Sequence, residues 1–261
     1  MKLILAIGLA VLAGCTNSDK KEAMSMPGAY TMLSQSVNDG KKDTTYTTLK
    51  QLKIYTADYM MYANVNPADS VSSFGIGTYT ANGDSVTEHV IYNAGDTSAS
   101  ETPADFHLVI EKTAKGYKQV IPEIKMGDQK IKLTEEYETS GTAVTSPMDG
   151  AWKETKGYWV KGKDTTANKG TQYKTYYGGY FIFGNTYKDS TGKLHTGMGY
   201  GTFAMNGASK VKENVTASTY YQIRGKSFDI DIEMNGADKF KQTITDPDGS
   251  KAVEIYQRLK K

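Results

Sequence analysis

Cysteine is almost absent from this chain, since Cys15 is the only one among 261 residues. A single thiol excludes an internal disulfide and a metal site built from several thiolates. Histidine is also rare: His89, His107 and His195 stand far apart, and no cluster has the ligand spacing of a zinc site. No Gly-x-Ser-x-Gly elbow provides a serine nucleophile. We therefore predict no metal, no cofactor and no catalytic residue, and hence a protein that is not an enzyme.

An excess of one charge sign is missing as well. The chain has 31 Lys and Arg residues against 29 Asp and Glu residues, and no basic block stands out. Nucleic-acid binding needs a concentrated cationic face. The composition therefore argues against nucleic acid as a partner.

Long apolar runs are missing except near the N-terminus, where residues 3–12 are apolar and Lys2 precedes them. This run is too short for a hydrocarbon core of roughly 30 Å. A short apolar run after a positive charge is typical of a secretion signal. The small residues Ala13 and Gly14 then lead to Cys15.

The motif Leu12-Ala13-Gly14-Cys15 resembles the lipobox of bacterial lipoproteins. The resemblance implies cleavage before Cys15, a diacylglyceryl thioether on its sulfur and acylation of the new N-terminus. Each buried methylene contributes about 0.8 kcal/mol, so several acyl chains anchor a protein stably in a membrane. By the same resemblance, Thr16 instead of an aspartate favours the outer membrane, with its face left open. The alternative is an ordinary secretory signal that happens to end in cysteine.

The chain is rich in tyrosine (19 residues) and glycine (26 residues), which together with frequent Thr and Val indicates a β-protein. Blocks of similar sequence also occur twice in the same order, at offsets of 121 to 125 residues. Each unit covers roughly 110 residues, so it is a domain and not one turn of a solenoid. The matched blocks are Gly28-Ala29-Tyr30 with Gly150-Ala151-Trp152, Lys53 and Tyr55 with Lys174 and Tyr176, Val86, Glu88 and Val90 with Val211, Glu213 and Val215, and Tyr117-Lys118-Gln119 with Phe240-Lys241-Gln242.

Within each unit, short runs of alternating polarity are separated by turn residues. Residues 228–233 alternate strictly, as expected for a half-buried strand. Asn82-Gly83 and Asn206-Gly207 lie between such runs and indicate tight hairpins. About eight strands in roughly 110 residues predict an up-and-down β-barrel, with a β-sandwich as the alternative.

The Gly-x-aromatic entry to each unit resembles the Gly-x-Trp motif of lipocalins and related calycins. The later order of Gly-Thr-Tyr/Phe, Asn-Gly and Val-x-Glu-x-Val resembles uncharacterised lipocalin-like domains that are common in Bacteroidetes lipoproteins. The resemblance implies an all-β fold of two tandem lipocalin-like (calycin-type) antiparallel β-barrels. Lipocalins also place an arginine against the tryptophan; Arg258 is the candidate in the second unit, and Glu136 is matched to it in the first.

These patterns divide the chain into five segments. We predict a lipoprotein signal peptide at 1–14, a solvated tether at 15–27, a first barrel at 28–138, a linker at 139–149 and a second barrel at 150–261.

The two-residue period of a strand predicts which polar side chains point into each barrel. Glu88 shares a strand face with Val86 and Val90, and Glu213 is placed in the same way. A glutamate inside an apolar lumen must be paired, hydrated or protonated, so we predict that such residues anchor a ligand. The predicted ligand-binding residues are Lys53, Tyr55, Tyr59, Glu88 and Gln119 in the first unit and Lys174, Tyr176, Tyr180, Glu213 and Gln242 in the second.

Three functions fit these features. The first is an envelope lipoprotein that binds or carries a small, partly apolar ligand, which predicts a cavity of at least roughly 300 Å³. The second is a structural or protein-interaction module with filled barrels. Its support is the aromatic stretch 173–183, which is apolar on both strand faces and therefore covered by the other barrel or by an envelope protein. The third is an enzyme that uses Glu88 or Glu213 as a general acid or base.

Overall fold

A computed structural model describes residues 24–66, 72–95, 98–126, 129–141 and 146–261. The predicted signal peptide at 1–14, Cys15, residues 16–23 of the predicted tether and residues 142–145 of the predicted linker lie outside the described residues. Within the described part, no helix has the length and apolar character needed to cross a membrane. The described chain folds almost entirely as β-strands.

The first sheet closes on itself. Its strands are β1 (Gly28–Asn38), β2 (Asp43–Tyr46), β3 (Gln51–Tyr55), β4 (Tyr59–Asn64), β5 (Ser73–Asn82), β6 (Ser85–Gly95), β7 (Ser98–Ser100), β8 (Ala104–Lys112), β9 (Gly116–Met126) and β10 (Gln129–Gly141). Antiparallel neighbours follow the order β1-β3-β4-β5-β6-β8-β9-β10, and β10 pairs back onto β1. The short strands β2 and β7 extend β1 and β6 outside this eight-stranded ring.

The second sheet repeats this architecture. Its strands are β11 (Gly150–Lys161), β12 (Asp164–Ala167), β13 (Thr171–Tyr177), β14 (Tyr180–Lys188), β15 (Leu194–Met205), β16 (Lys210–Ser218), β17 (Ser227–Met234), β18 (Lys239–Thr245) and β19 (Lys251–Arg258). β19 pairs with β11 and closes a second ring of eight, to which β12 adds an outer strand. The predicted pair of antiparallel β-barrels is confirmed. The β-sandwich alternative is wrong because both sheets close by pairing their first and last strands.

One end of each barrel is closed by the chain that enters it. Met26 and Met148, which precede the first strand of each barrel in the chain, are buried there. The Tyr30 hydroxyl donates to the carbonyl of Met26 at 3.0 Å, and the Trp152 indole donates to that of Met148 at 2.8 Å. The aromatic residue of the Gly-x-aromatic motif thus fastens the entering chain across the barrel end.

The predicted arginine–tryptophan contact is present in the second barrel, where the Arg258 guanidinium lies 4.0 Å from the Trp152 ring centroid. The match of Arg258 to Glu136 is wrong. Thr139 stands opposite Tyr30 in the first barrel, as Arg258 stands opposite Trp152 in the second. The last two strands are shorter in the second unit, where β18 and β19 have 7 and 8 residues against 11 and 13 in β9 and β10. The offset between the last strands therefore falls to 119 residues, which displaces the alignment.

The two barrels pack against each other through corresponding outer faces, chiefly those of β3–β5 and β13–β15. Residues from both barrels form one continuous buried cluster. The larger side chains in it are Leu52, Ile54, Tyr59, Met61, Phe74, Ile76 and Tyr92 from the first barrel and Tyr173, Ile182, Met198 and Tyr200 from the second. The aromatic stretch 173–183 is therefore covered on its outside by the other barrel.

Hydrogen bonds along the rim of this interface join the barrels further. Tyr92 and Thr186 share a hydrogen bond of 2.6 Å between their hydroxyl groups. The Thr196 hydroxyl donates to the Gly95 carbonyl at 2.6 Å. Because a hydrophobic core and directional bonds both cross the interface, each barrel depends on the other for the burial of its outer face.

Gly184 lies against the Phe74 ring of the first barrel in this interface. It takes the place of Ala63 in the repeat, and a Cβ atom at Gly184 would lie 2.5 Å from the Phe74 ring. We expect Gly184→Ala to lower the free energy of unfolding by about 1–3 kcal/mol through overpacking, measured by urea denaturation. Gly95→Ala is the control, since its nearest neighbour would be 3.7 Å away; equal losses in both variants would contradict this expectation.

Candidate functional site

A charged pair lies at the centre of the first barrel. Lys53 Nζ is 2.9 Å from Glu88 Oε1, and the two side chains are only 3% and 5% exposed. The ammonium also donates to Gln119 Oε1 at 3.2 Å, and the Tyr55 hydroxyl donates to Glu88 Oε1. A buried charge pair is tolerated only when further hydrogen bonds satisfy both groups, and Gln119 and Tyr55 provide them.

A second carboxylate, that of Glu135 on β10, extends this network. It accepts hydrogen bonds from Gln35 at 2.7 Å, from Gln119 at 2.5 Å and from the Tyr137 hydroxyl at 2.9 Å. Gln119 thus joins the two carboxylates, because its oxygen accepts from Lys53 while its nitrogen donates to Glu135. The first-barrel network therefore contains one ammonium and two carboxylates.

The second barrel repeats the network with the same residue types. Lys174 Nζ lies 2.8 Å from Glu213 Oε1 and 3.2 Å from Gln242 Oε1, and the Tyr176 hydroxyl donates to Glu213 at 2.5 Å. Glu254 then accepts from Gln242 at 2.7 Å. The tyrosine two residues later, Tyr256, also donates to Glu254 at 2.5 Å, as Tyr137 does to Glu135.

Eight of the ten predicted ligand-binding residues meet in these two networks, namely Lys53, Tyr55, Glu88, Gln119, Lys174, Tyr176, Glu213 and Gln242. The prediction that Tyr59 and Tyr180 point inward is wrong. Tyr59 donates to the Lys260 carbonyl at 2.8 Å and Tyr180 to the Ser140 carbonyl at 2.5 Å, both at the interface between barrels. The hairpin register explains this: Tyr62 pairs with Lys53, so the even-numbered residues of β4 face the lumen.

Glu135, Tyr137, Glu254 and Tyr256 were missed by the sequence reasoning. Their motif, Glu-x-Tyr, occurs in the last strand of both units at an offset of 119 residues. This offset lies outside the range of 121 to 125 found for the other blocks. The two motifs align only when the last hairpin of the second unit is allowed to be shorter than that of the first.

The network tyrosines are held in the neutral form. Burial, followed by the charge of Glu88, raises the pKa of Tyr55 well above its usual value. Burial and Glu135 do the same to the pKa of Tyr137, and burial and Glu213 to that of Tyr176. These phenols therefore stay hydrogen-bond donors to the carboxylates at physiological pH.

A cavity of about 210 Å³ adjoins the network in the first barrel. Its polar lining includes Lys53, Glu88 and Glu135. The apolar part of the lining is formed by Val90, Phe106, Ile121, Ile124 and Leu133. The cavity falls short of the predicted minimum of roughly 300 Å³, which is the volume expected for a drug-sized ligand, so it suits a smaller molecule.

The cavity lies toward the barrel end that holds the connections after β4 and β9, since Asn64, Ser73 and Ile124 line it. The chain enters the barrel at the opposite end. There, Met24 and the turn residues Lys112–Gly116 line a separate groove of about 710 Å³. Chain entry and cavity are thus on opposite ends of the first barrel.

The second barrel differs at two inward positions. Glu154 takes the place of Met32, since each lies opposite the tyrosine of the last strand, Tyr256 or Tyr137. Gly157 takes the place of Gln35, since each lies opposite the glutamate of that strand, Glu254 or Glu135. A Cβ atom at Gly157 would lie 1.8 Å from Glu154 Oε1, so the glycine makes room for this carboxylate. Glu154 Oε1 is buried without a hydrogen-bond partner among the described residues. Burial, followed by the charge of Glu254, raises the pKa of Glu154 to about 7.

We expect Glu154→Met to stabilise the protein by about 1–2 kcal/mol at pH 8, after allowance for solvent screening. The folded pKa of about 7 lies above the unfolded value of about 4.3. The folded state therefore binds the extra proton between these pH values, and stability is lost as the pH rises through 7. Urea denaturation at pH 5 and pH 8 measures the effect; the exposed Glu136→Gln is the control. A variant no more stable than the wild type at pH 8 would contradict it.

In chemical terms, the first-barrel site offers hydrogen-bond donors and acceptors beside an apolar wall. Among the described residues, no group of three or more His, Cys, Asp or Glu side chains is placed to hold a metal ion. No protein-family model matches the chain, and no curated protein is similar to it in sequence.

Proposed function

We propose that this protein is a lipid-anchored envelope protein whose first barrel binds a small, partly apolar ligand. The observation that supports binding is the cavity of about 210 Å³, which combines the buried network of Lys53, Glu88 and Glu135 with an apolar wall. Pockets that bind small molecules typically have such mostly apolar walls and a few well-placed polar groups. The second barrel buries part of the outer face of the first.

The anchor proposal rests on the lipobox-like motif ending at Cys15. The segment from Cys15 to Met24 reaches no more than about 35 Å when fully extended. Since Met24 lies at the closed end of the first barrel, a lipid on Cys15 would attach to the membrane on that side. The cavity would then open away from the attachment point.

Native mass spectrometry of the protein purified from its own envelope tests ligand binding. We expect a bound small molecule that is lost in Ile121→Phe, which fills the cavity, and kept in Ile244→Phe, the corresponding change in the second barrel. Retention of the molecule in Ile121→Phe would overturn the proposal, and so would a wild-type protein that neither carries a small molecule nor binds one that is added.

Detergent phase separation tests the anchor. Full-length protein expressed in a bacterial host should partition into Triton X-114, and Cys15→Ser should remain in the aqueous phase. Mass spectrometry of the N-terminal peptide should show acyl chains on Cys15. An unmodified Cys15, or cleavage elsewhere, would support the ordinary secretory signal instead.

A further inference from the structure

Tyr220 occupies the inner face of the second barrel, near the end opposite the one where the chain enters. It precedes a 3-10 turn (Tyr221–Ile223) between β16 and β17. Its ring lies parallel to that of Phe183, with centroids 6.4 Å apart, and its hydroxyl donates to Asn185 Oδ1 at 2.9 Å. A Cβ atom at Gly197 would lie 2.0 Å from the Tyr220 hydroxyl, so this glycine is needed for the phenol to fit.

The same position in the first barrel belongs to the cavity. Tyr62, Asn64 and Ser73 correspond by strand pairing to Phe183, Asn185 and Gly197, and all three line the cavity. In this barrel the chain after β6 returns as β7, which pairs with β6. Asn64 Oδ1 is buried and has no hydrogen-bond partner in the described part of the chain, whereas Asn185 Oδ1 accepts from Tyr220.

An unpaired buried carbonyl costs about the full desolvation penalty of the group, so Asn64 is suited to a donor supplied by a ligand. Ser73 has a side chain at the position of Gly197, so a phenol placed like that of Tyr220 would not fit in the first barrel. A hydrogen-bond donor to Asn64 Oδ1 would therefore come from a ligand in the cavity. The charged groups in the cavity lining are two carboxylates and one ammonium. This balance disfavours a ligand with a negative charge.

The size of the cavity limits the ligand further. A cavity of roughly 150 Å³ lined by apolar side chains can hold benzene. The first-barrel cavity, at about 210 Å³, can therefore accept one aromatic ring with a short substituent. Phe106, Ile121 and Leu133 provide the apolar contacts for such a ring.

We infer that the first barrel binds a small neutral or cationic aromatic molecule whose hydroxyl or amino group donates to Asn64 Oδ1. The second barrel fills the corresponding position with its own phenol, Tyr220. This inference rests on the proposed ligand-binding function and specifies the chemical class of the ligand. It also assigns binding to one barrel of the duplicated pair.

A series of para-substituted toluenes tests the inference on the whole protein. NMR titration of the Ile121 and Ile124 methyl groups should show binding of p-cresol and 4-methylbenzylamine, and at least tenfold weaker binding of 4-methylbenzoate. Asn64→Leu should weaken p-cresol binding about tenfold, and the matched Asn185→Leu should leave it unchanged. Equal binding of the benzoate, or p-cresol affinity unaltered in Asn64→Leu, would overturn the inference.

Removal of the internal phenol provides a second measurement. Tyr220→Ala should raise the number of p-cresol molecules bound per chain from one to two; no increase in a folded variant would overturn the role of Tyr220. A co-purified ligand that is anionic or non-aromatic would refute this inference and leave the proposed function intact. The absence of both a co-purified ligand and probe binding would refute both.

Discussion

Replacement of Lys53 by Met is expected to lower the free energy of unfolding by about 3–5 kcal/mol, because it leaves the buried Glu88 carboxylate without its counter-charge. Lys53 Nζ lies 2.9 Å from Glu88 Oε1, and both side chains are almost fully buried. The Tyr55 hydroxyl is the other donor to this oxygen, and one neutral donor does not offset a buried charge. Urea denaturation followed by circular dichroism measures the loss.

The paired substitution separates the charge effect from packing. In Lys53→Met with Glu88→Gln, the carboxylate is gone, Tyr55 keeps an acceptor, and most of the lost stability should return. Lys174→Met makes the same change in the second barrel, where the ion pair is 2.8 Å long, and should cost a similar amount. A double variant as unstable as the single one would show that Lys53 contributes through its shape and not its charge.

Arg258→Ala is expected to lower the free energy of unfolding by about 2–4 kcal/mol. The guanidinium lies over Trp152 and donates to the carbonyls of Pro147 and Asp149 in the chain entering the second barrel. It also donates to the Ala237 carbonyl at 2.8 Å. Removal of this side chain would expose one face of Trp152 and leave three carbonyls to be satisfied by water.

Trp152 fluorescence reports this change when it is measured in a Trp159→Phe background, because Trp159 is the second tryptophan of the chain and is already exposed. The emission of an exposed indole shifts to longer wavelength. Arg258→Lys keeps the charge but loses the planar donor array, and it should be intermediate in stability. Thr139→Ala is the matched control in the first barrel, with an expected change within about 0.5 kcal/mol. An Arg258→Ala variant that unfolds at the wild-type urea concentration would contradict the role assigned to the arginine.

The asymmetry between the barrels follows from a few substitutions in a shared framework. Both barrels keep the Lys–Glu–Gln network and the capped entry end. The second barrel has Phe183 and Gly197 where the first has Tyr62 and Ser73, and these smaller side chains admit Tyr220. The two barrels thus share one buried network and one strand arrangement. The substitutions at these two positions let Tyr220 fill the lumen of the second barrel where the first has its cavity.

Sequence alone determined the fold class, the duplication and most of the buried polar network. These follow from patterns within single strands: the two-residue period put Glu88, Gln119 and their counterparts on the apolar face, and the structure places them there. The aromatic stretch 173–183 also indicated a strand covered on both faces. Each of these inferences needed only the spacing of residues along the chain.

Only the tertiary structure decided how strands distant in sequence face one another. The register of the β3–β4 hairpin turned Tyr59 outward, and barrel closure brought Glu135 beside Gln119. The pairing of β19 with β11 placed Arg258, and not a counterpart of Glu136, at the barrel end. Spacing within a strand cannot specify these contacts, because they depend on loop lengths and on the register set by closing each ring. The outer faces of the barrels became a core for the same reason: burial there requires both folded barrels at once.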